Sequence, residues 1–252
     1  MDFNAPAKLT LSLRITGTRA DGFHLIDAEM VSLVLHDVVT IEPINGESSL
    51  SVSGPYASGV PTDASNLVLR ALNLAHRSAR VHIHKNIPHG GGLGGGSSDA
   101  AAILRWAGFT DHERASRLGA DIPFCMEGGR ARVEGIGEII TPLPTRGSQQ
   151  ADITLIIPPF GVSTPAVYAA WDALGEPHGD AMGTNEPGLN DLEPAALHVE
   201  PRLKLWRDKI ADATGSTPTL AGSGATWFLR GSFPRLAESL PDAAVICTQT
   251  EK

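Results

Sequence analysis

The strongest chemical signal in the chain is Pro88-His89-Gly90-Gly91-Gly92-Leu93-Gly94-Gly95-Gly96-Ser97-Ser98-Asp99, followed at once by Ala100-Ala101-Ala102-Ile103-Leu104. Glycine gives up more backbone freedom on folding than any other residue, so six of them around one leucine are costly. Such a run persists where bare main-chain amides must approach something closely. It empties into a predicted helix reaching about Trp106, with Ser97, Ser98 or Asp99 as caps and alanines, the best helix formers, behind them. A helix N-terminus offers unpaired N–H groups and a partial positive charge, which together suit phosphate. The run therefore reads as a nucleotide phosphate loop. A flexible linker would not normally open into a capped apolar helix.

Two familiar phosphate loops do not match. A Walker loop needs Lys and then Ser/Thr after its last glycine, and Gly96 is followed by Ser97 and Ser98. The dinucleotide pattern G-x-G-x-x-G is met by Gly90, Gly92 and Gly95, with Asp111 about twenty residues on. With six glycines available, that match arises almost by necessity. The preceding Val81-His82-Ile83-His84-Lys85 alternates apolar and polar, as a half-exposed antiparallel strand does, whereas a Rossmann first strand is a continuous apolar run.

A phosphate loop names a nucleotide and not a reaction. Phosphoryl transfer also needs a positioned acceptor hydroxyl, a group to take its proton, and cations for the developing charge. Lys8 and Asp121 are the candidates. Each has an ordinary alternative, Lys8 as a solvated strand lysine and Asp121 as a turn aspartate in Gly-Ala-Asp-Ile-Pro. His82 and His84 share a strand face near His89, but no cysteine or carboxylate cluster accompanies them. Polar strand surface is the better reading there, and no protein-held metal site is expected.

The elements that must position these groups can be read from periodicity. Residues 7–15 place apolar side chains at 7, 9, 11, 13 and 15 on one face of a strand, with Lys8, Thr10, Ser12 and Arg14 on the other. Thr16–Gly22 is a turn-rich loop, and two apolar segments, Met30–Leu35 and Val38–Ile41, flank His36-Asp37. Asn45–Pro61 suggests a loose hairpin, and Asp63–Ala79 a helix capped near Thr62 or Asp63. Beyond the glycine loop, a short helix is expected over Asp111–Leu118, a loop over Gly119–Phe124 and a hairpin over 130–140 turning near Glu134-Gly135. Polar Gly147–Gln150 is the expected domain boundary, dividing 1–147 from 148–252.

In the second part, Ile153–Ile157 reads as a buried strand. Thr164 caps a helix with Pro165 at its first position and Val167, Ala170, Trp171 and Leu174 inward. Pro177–Leu189 reads as a mobile loop, and Pro201–Thr214 as a helix stopped by Gly215. A small-residue loop, Leu220–Gly224, precedes a strand over Thr226–Leu229. A helix near Pro234–Leu240 and a strand near Ala244–Cys247 close the chain. Strands and helices mix without a regular βαβ period, which makes the fold class α+β.

Bulk properties narrow the partners. The 252 residues carry a net charge of −8, with 42% hydrophobic and 19% charged residues, as in an ordinary globular protein. An acidic total argues against a general nucleic-acid binder but leaves room for a small anion in a local basic pocket. Cys125 and Cys247, far apart, read as buried thiols of a reducing compartment rather than a disulfide. The N-terminus lacks signal-peptide features and no stretch is long and apolar enough to span a bilayer, so a cytoplasmic protein without membrane contact is expected.

Six segments, taken in order, carry a resemblance. They are Pro6-Ala7-Lys8-Leu9, Arg19-Ala20-Asp21-Gly22-Phe23-His24, the Gly90–Asp99 loop, Gly119-Ala120-Asp121-Ile122-Pro123-Phe124, Asn190-Asp191-Leu192-Glu193-Pro194 and Ala221-Gly222-Ser223-Gly224-Ala225-Thr226. Together they resemble the 4-diphosphocytidyl-2-C-methyl-D-erythritol kinase family, within the superfamily of galactokinase, homoserine kinase, mevalonate kinase and phosphomevalonate kinase. The loops at 90–99 and near Ser223 are general to the superfamily, and Asp-Gly-Phe-His points to this member.

The resemblance implies an N-terminal domain like the second domain of ribosomal protein S5, a ferredoxin-like C-terminal domain, and a site between them. It implies transfer of the ATP γ-phosphate to the 2-hydroxyl of a cytidine-diphosphate methylerythritol in non-mevalonate isoprenoid synthesis, with Mg²⁺ carried by ATP and Ser98 as a contact. Under it Gly90–Ser98 hold the nucleotide and Asp121 takes the hydroxyl proton. Lys8 either acts on that aspartate or steadies the phosphoryl group. Phe23 stacks on the cytosine, His24 hydrogen-bonds it, and Tyr168 walls it on the other side or merely packs in the core. Thr10, Gly222, Ser223 and Gly224 line the substrate. A monomer or weak homodimer is expected.

Two departures stand out. Thr10 replaces an asparagine of the family, losing the amide's paired donor and acceptor, and the segment between Trp106 and Gly119 is short. A related kinase acting on homoserine or mevalonate is the nearest alternative, and Phe23-His24 argues against it. A non-catalytic nucleotide sensor would not need both Lys8 and Asp121. RNA binding would rest on the S5 likeness alone and conflicts with the charge.

Overall fold

The computed structural model describes residues 1–144, 150–175 and 189–252. The expected boundary at Gly147–Gln150 (save Gln150) and the expected loop Pro177–Leu189 (save Leu189) lie outside them. Strands β1 (Asp2–Thr18) and β2 (His24–Pro43) pair antiparallel over most of their length. On the other edge of β2, β5 (Arg130–Gly135) takes residues 26–31 and β4 (Ala79–His84) takes residues 38–43. The expected hairpin over 130–140 is there, β5 pairing with β6 (Ile139–Pro142).

β2 joins the two expected apolar segments into one strand that runs through His36-Asp37. Asp37 is fully buried, and its Oδ1 accepts the main-chain N–H of Ile87 at 2.8 Å. The expected hairpin within 45–61 is also corrected. β3 (Ser49–Ser53) lies parallel to β4, and parallel neighbours need a long crossover, here one that includes helix α1 (Leu67–Leu74). That helix is shorter than expected at both ends: Asn66, not Thr62 or Asp63, caps it, and Ala79 already belongs to β4.

Strict alternation in β1 fails at one place that matters for the site. The pairs Thr10↔Met30 and Ser12↔Glu29 leave one extra residue on β1 at Leu11, a β-bulge. A bulge exchanges the two faces of a strand. Ala7, Leu9 and Leu11 accordingly join a core with Ile153, Leu155 and Phe228, whereas Leu13 and Ile15 join a second core on the side of Lys8 and Thr10.

Helix α2 (Gly95–Trp106) packs against this sheet with Ser98–Leu104 buried. None of Ser97, Ser98 and Asp99 caps it. Its N-cap is Gly94 at φ 68°, which makes no side-chain cap bond. Helix α3 (His112–Ser116) occupies the expected short helical segment, capped by Asp111. The expected loop after it contains helix α4 (Ile122–Glu127). Pro123 sits in the first turn, where no N–H is needed, and Ile122, Phe124 and Cys125 are buried against the core.

The second sheet contains β7 (Asp152–Ile157), β8 (Thr219–Leu220), β9 (Trp227–Arg230) and β10 (Ala244–Gln249), antiparallel in the order β10-β7-β9-β8. Between β7 and β8 run α5 (Thr164–Ala173), α6 (Glu193–Val199), which periodicity did not show, and α7 (Arg202–Thr214), ended by Gly215 as expected. With α8 (Leu236–Ser239) before β10, the pattern is β-α-β-β-α-β, the ferredoxin-like arrangement. α5 is capped by Ser163 rather than Thr164, and Leu174, expected inward, is 47% exposed just past its end. Cys247, also expected inside, is an exposed free thiol on edge strand β10, whereas Cys125 is buried. The architecture is α+β. Among the described residues no helix is long and apolar enough to cross a membrane.

Candidate active site

Lys8 and Asp121, more than a hundred residues apart in sequence, meet. Lys8 Nζ lies 3.2 Å from Asp121 Oδ2 and donates to Thr10 Oγ1 at 3.3 Å. β1 holds Lys8 with only 6% of its surface exposed, while Asp121, leading into α4, leaves 30% of its side chain open. Asp121 makes no side-chain cap bond to its own helix, which leaves the carboxylate facing the lysine.

The glycine loop is fitted to this pair. The Lys8 main-chain N–H donates to Leu93 O at 2.9 Å. Gly94 has a left-handed backbone, and a Cβ there would lie 2.6 Å from Lys8 Cγ. Gly92 is also left-handed, and its Cβ would lie 2.9 Å from the carbonyl oxygen of Gly224. The two glycines are thus demanded by packing and by backbone conformation together. Leu93 fills the core between the sheets, which pins the middle of the loop.

The small-residue loop Leu220–Gly224 closes against the glycine loop and is itself fastened. Asn190 Nδ2 donates to Leu220 O at 2.9 Å and Gly222 O at 2.7 Å, and Thr164 Oγ1 lies 2.7 Å from Ser223 Oγ. Asp191 continues the staple, its Oδ2 accepting the Ile15 N–H at 2.9 Å. The Asn190-Asp191 pair therefore ties β1 to the second sheet's loop, a task the sequence alone did not assign it.

A cavity of about 610 Å³ opens beside the pair, large enough for a substantial small molecule. Lys8, Thr10, Asp121, Gly92, Ser97 and Ser223 form its polar end. Phe23, His24 and Tyr168 form its aromatic end. His24 stacks on Tyr168 with centroids 4.8 Å apart and planes 29° from parallel, and its Nε2 lies 2.7 Å from Asp172 Oδ1. Tyr168 and Asp172 are four residues apart on α5 and so share a helix face, a spacing legible in sequence. Burial, and secondarily the Asp121 charge, push the Tyr168 hydroxyl up to about 12, so it stays a neutral phenol. Phe23 is 57% exposed at the rim.

Of the expected site residues, the structure gathers Lys8, Thr10, Phe23, His24, Gly92, Ser97, Asp121, Tyr168, Gly222 and Ser223 around one cavity. Gly90, Gly91, Leu93, Gly94, Gly95, Gly96, Ser98 and Gly224 lie behind or beside that lining. Ser98 is fully buried in the first turns of α2 with its Oγ unpartnered.

Known proteins share both pattern and geometry. Residues 64–129 match the model of the GHMP kinases N terminal domain. A 4-diphosphocytidyl-2-C-methyl-D-erythritol kinase of Paracoccus denitrificans is 42% identical over 246 residues, covering 93% of this chain and 88% of its own. The chain belongs to the 4-diphosphocytidyl-2-C-methyl-D-erythritol kinase family. A crystal structure of a family member, a 4-(cytidine 5'-diphospho)-2C-methyl-D-erythritol kinase, superposes over 100% of both chains with a TM-score of 0.78 and 31% identity. The fold extends further, since L. major mevalonate kinase in complex with R-mevalonate gives a TM-score of 0.71 at 12% identity. The family is one of kinases.

Proposed function

We propose that the chain transfers the γ-phosphoryl group of ATP to the 2-hydroxyl of 4-diphosphocytidyl-2-C-methyl-D-erythritol, a step of isoprenoid precursor synthesis in the cytoplasm. The observation that carries this reading is the 3.2 Å Lys8–Asp121 pair at the mouth of the glycine loop, within a cavity whose far end is aromatic. The relatives' names supply the substrate.

In the reaction the acceptor oxygen bonds to the γ-phosphorus as the bridging oxygen leaves with ADP. The hydroxyl proton passes to the Asp121 carboxylate. Such a transfer asks for positioning and for charge stabilisation more than for covalent chemistry. Lys8 orients Asp121 and sets a buried cation where the moving group spreads its negative charge. The main-chain amides of Gly90–Ser98 hold the triphosphate. Thr10, Gly222, Ser223 and Gly224 line the methylerythritol end. Phe23 and Tyr168 wall the cytosine and His24 hydrogen-bonds it.

Mg²⁺ enters with ATP and neutralises phosphate charge. Among the described residues no group of three or more His, Cys, Asp or Glu could hold a metal by itself. An ion that arrives on phosphates takes only one or two protein oxygens. The unpartnered Ser98 hydroxyl is an oxygen of the right kind in the right turn. A monomer or weak homodimer is the assembly proposed.

The test is MgATP turnover against a panel of the cytidylated methylerythritol, methylerythritol phosphate, homoserine and mevalonate. The cytidylated alcohol should be the preferred acceptor by at least about a hundredfold, the discrimination a lost base-recognition site would forfeit. Equal or better turnover of any other panel member sinks the reading.

A further inference from the structure

A second polar cluster lies out of the cavity and out of the reaction just described. Lys85 Nζ sits between two carboxylates, hydrogen-bonded to Asp37 Oδ2 and to Asp99 Oδ2, the latter at 2.7 Å. All three side chains are at most 4% exposed. Burying ions in this way is a poor route to stability, since the desolvation cost rivals the attraction. The cluster invites a reason other than stability.

Its placement supplies one. Asp37 Oδ1 accepts the main-chain N–H groups of Asn86 at 2.5 Å and Ile87 at 2.8 Å, and Asn86 Nδ2 donates to His36 O at 3.0 Å. Those residues are the last before Pro88 and the glycine run. Asp99 stands in α2, immediately after Ser98 at the other end of the run. A Cβ added to Gly95 would lie 3.2 Å from Lys85 Nζ, so the floor of the loop rests on the lysine. The loop's two ends are therefore joined to one another through a single buried ammonium, and to the sheet through Asp37.

We propose that Lys85, Asp37 and Asp99 are positioning residues that fix the span and tilt of the glycine loop, and hence nucleotide affinity, without touching the nucleotide. A run of glycines has no side-chain packing of its own to hold one shape. Clamping both ends removes most of the freedom that nucleotide binding would otherwise have to freeze. Asp99 is the place to cut the clamp. Its removal frees the downstream end alone and leaves the Asp37–Lys85 pair charge-matched.

This inference rests on the loop's being the nucleotide grip, and the experiment separates the two. MgADP binding is measured by calorimetry on the full chain for the wild type, Asp99→Ala and Asp99→Asn, with KM for MgATP and for the acceptor alongside. The wild type should bind MgADP, and failure there sinks the nucleotide reading itself. Asp99→Ala, in an alanine-rich helix, should bind MgADP about tenfold more weakly and raise the MgATP KM likewise, with the acceptor KM within twofold. Asp99→Asn keeps an oxygen for Lys85 and should return affinity to within about threefold. If Asp99→Ala does not fold, Asp99→Ser, too short to reach Lys85, is read the same way. A folded Asp99→Ala or Asp99→Ser with wild-type MgADP affinity overturns the clamp. So does an equal rise in both KM values, which would mark a general loosening.

Discussion

The two ends of the cavity are built from different materials. At the phosphate end the chain offers backbone, shaped by Leu93 in the core, by Lys8 beneath Gly94 and by the Gly224 carbonyl against Gly92. At the aromatic end it offers side chains, with Phe23 at a loop tip and mostly in solvent and with His24 held by Tyr168 and by the half-exposed Asp172. A backbone cradle has few tolerated substitutions, because a Cβ at Gly91, Gly92 or Gly94 would lie within 3.0 Å of a neighbouring atom. A side-chain wall can be altered one contact at a time. Members of one fold can thus keep the first end while changing the second.

Asp121 stands where the two ends meet, and its loss is the largest effect expected. Asp121→Asn should lower kcat by about 10²-fold or more, the scale of losing a general base, and leave the KM for MgATP near normal. Initial rates at saturating acceptor would show it, and full activity would take the aspartate out of the reaction. The next effect falls on the phosphate end. Gly92→Ala forces a left-handed alanine whose Cβ lies 2.9 Å from a main-chain oxygen, so backbone must move. The MgATP KM should rise by about tenfold or more and the Tm should fall, since strain of this kind costs on the order of 1–3 kcal/mol. An unchanged KM would mean that this glycine is not part of a fitted cradle. Phe23→Ala probes the opposite end and should raise the acceptor KM by about tenfold, the low end of what one base–aromatic stack contributes. Its Tm and MgATP KM should hold, because the ring is mostly exposed. If Phe23→Ala disturbed ATP as much as acceptor, the separation of the two ends would collapse.

The contrast also explains what was legible in the sequence. The phosphate end announces itself, because a glycine run opening into alanines has few other uses, and Lys8 and Asp121 stand in short motifs around it. The aromatic end was readable only by resemblance, since Phe23, His24 and Tyr168 are ordinary residues until two distant segments converge. Contacts made across the fold were invisible. Neither the Asn190–Gly222 bond nor the Lys85 cluster follows from local pattern, and Asp37 stood between two apolar segments with no partner in view. The β1 bulge defeated the alternation rule because one extra residue at Leu11 reverses the faces beyond it. Helix α4 was hidden by its own Pro123, which reads as a breaker unless it falls in a first turn.

The smallest effect concerns how the phosphate end depends on pH. Burial first, and the Asp37 charge after it, raise the Asp99 carboxyl to about 7 against the opposing pull of Lys85. Lys85 is itself raised, its burial outweighed by Asp99 and Asp37. A carboxyl whose pKa is higher folded than unfolded binds its proton better in the folded state. Its stabilising contribution is complete below the unfolded value of about 4 and is lost as pH climbs through about 7. Asp99→Asn carries no proton to lose, so its stability relative to wild type should rise across that window and level off above it. Titrating groups outside the Lys85 cluster occur in both proteins and cancel in the difference. Urea midpoints at matched pH values from 4 to 8 would trace the curve. A flat difference would mean that Asp99 titrates alike folded and unfolded.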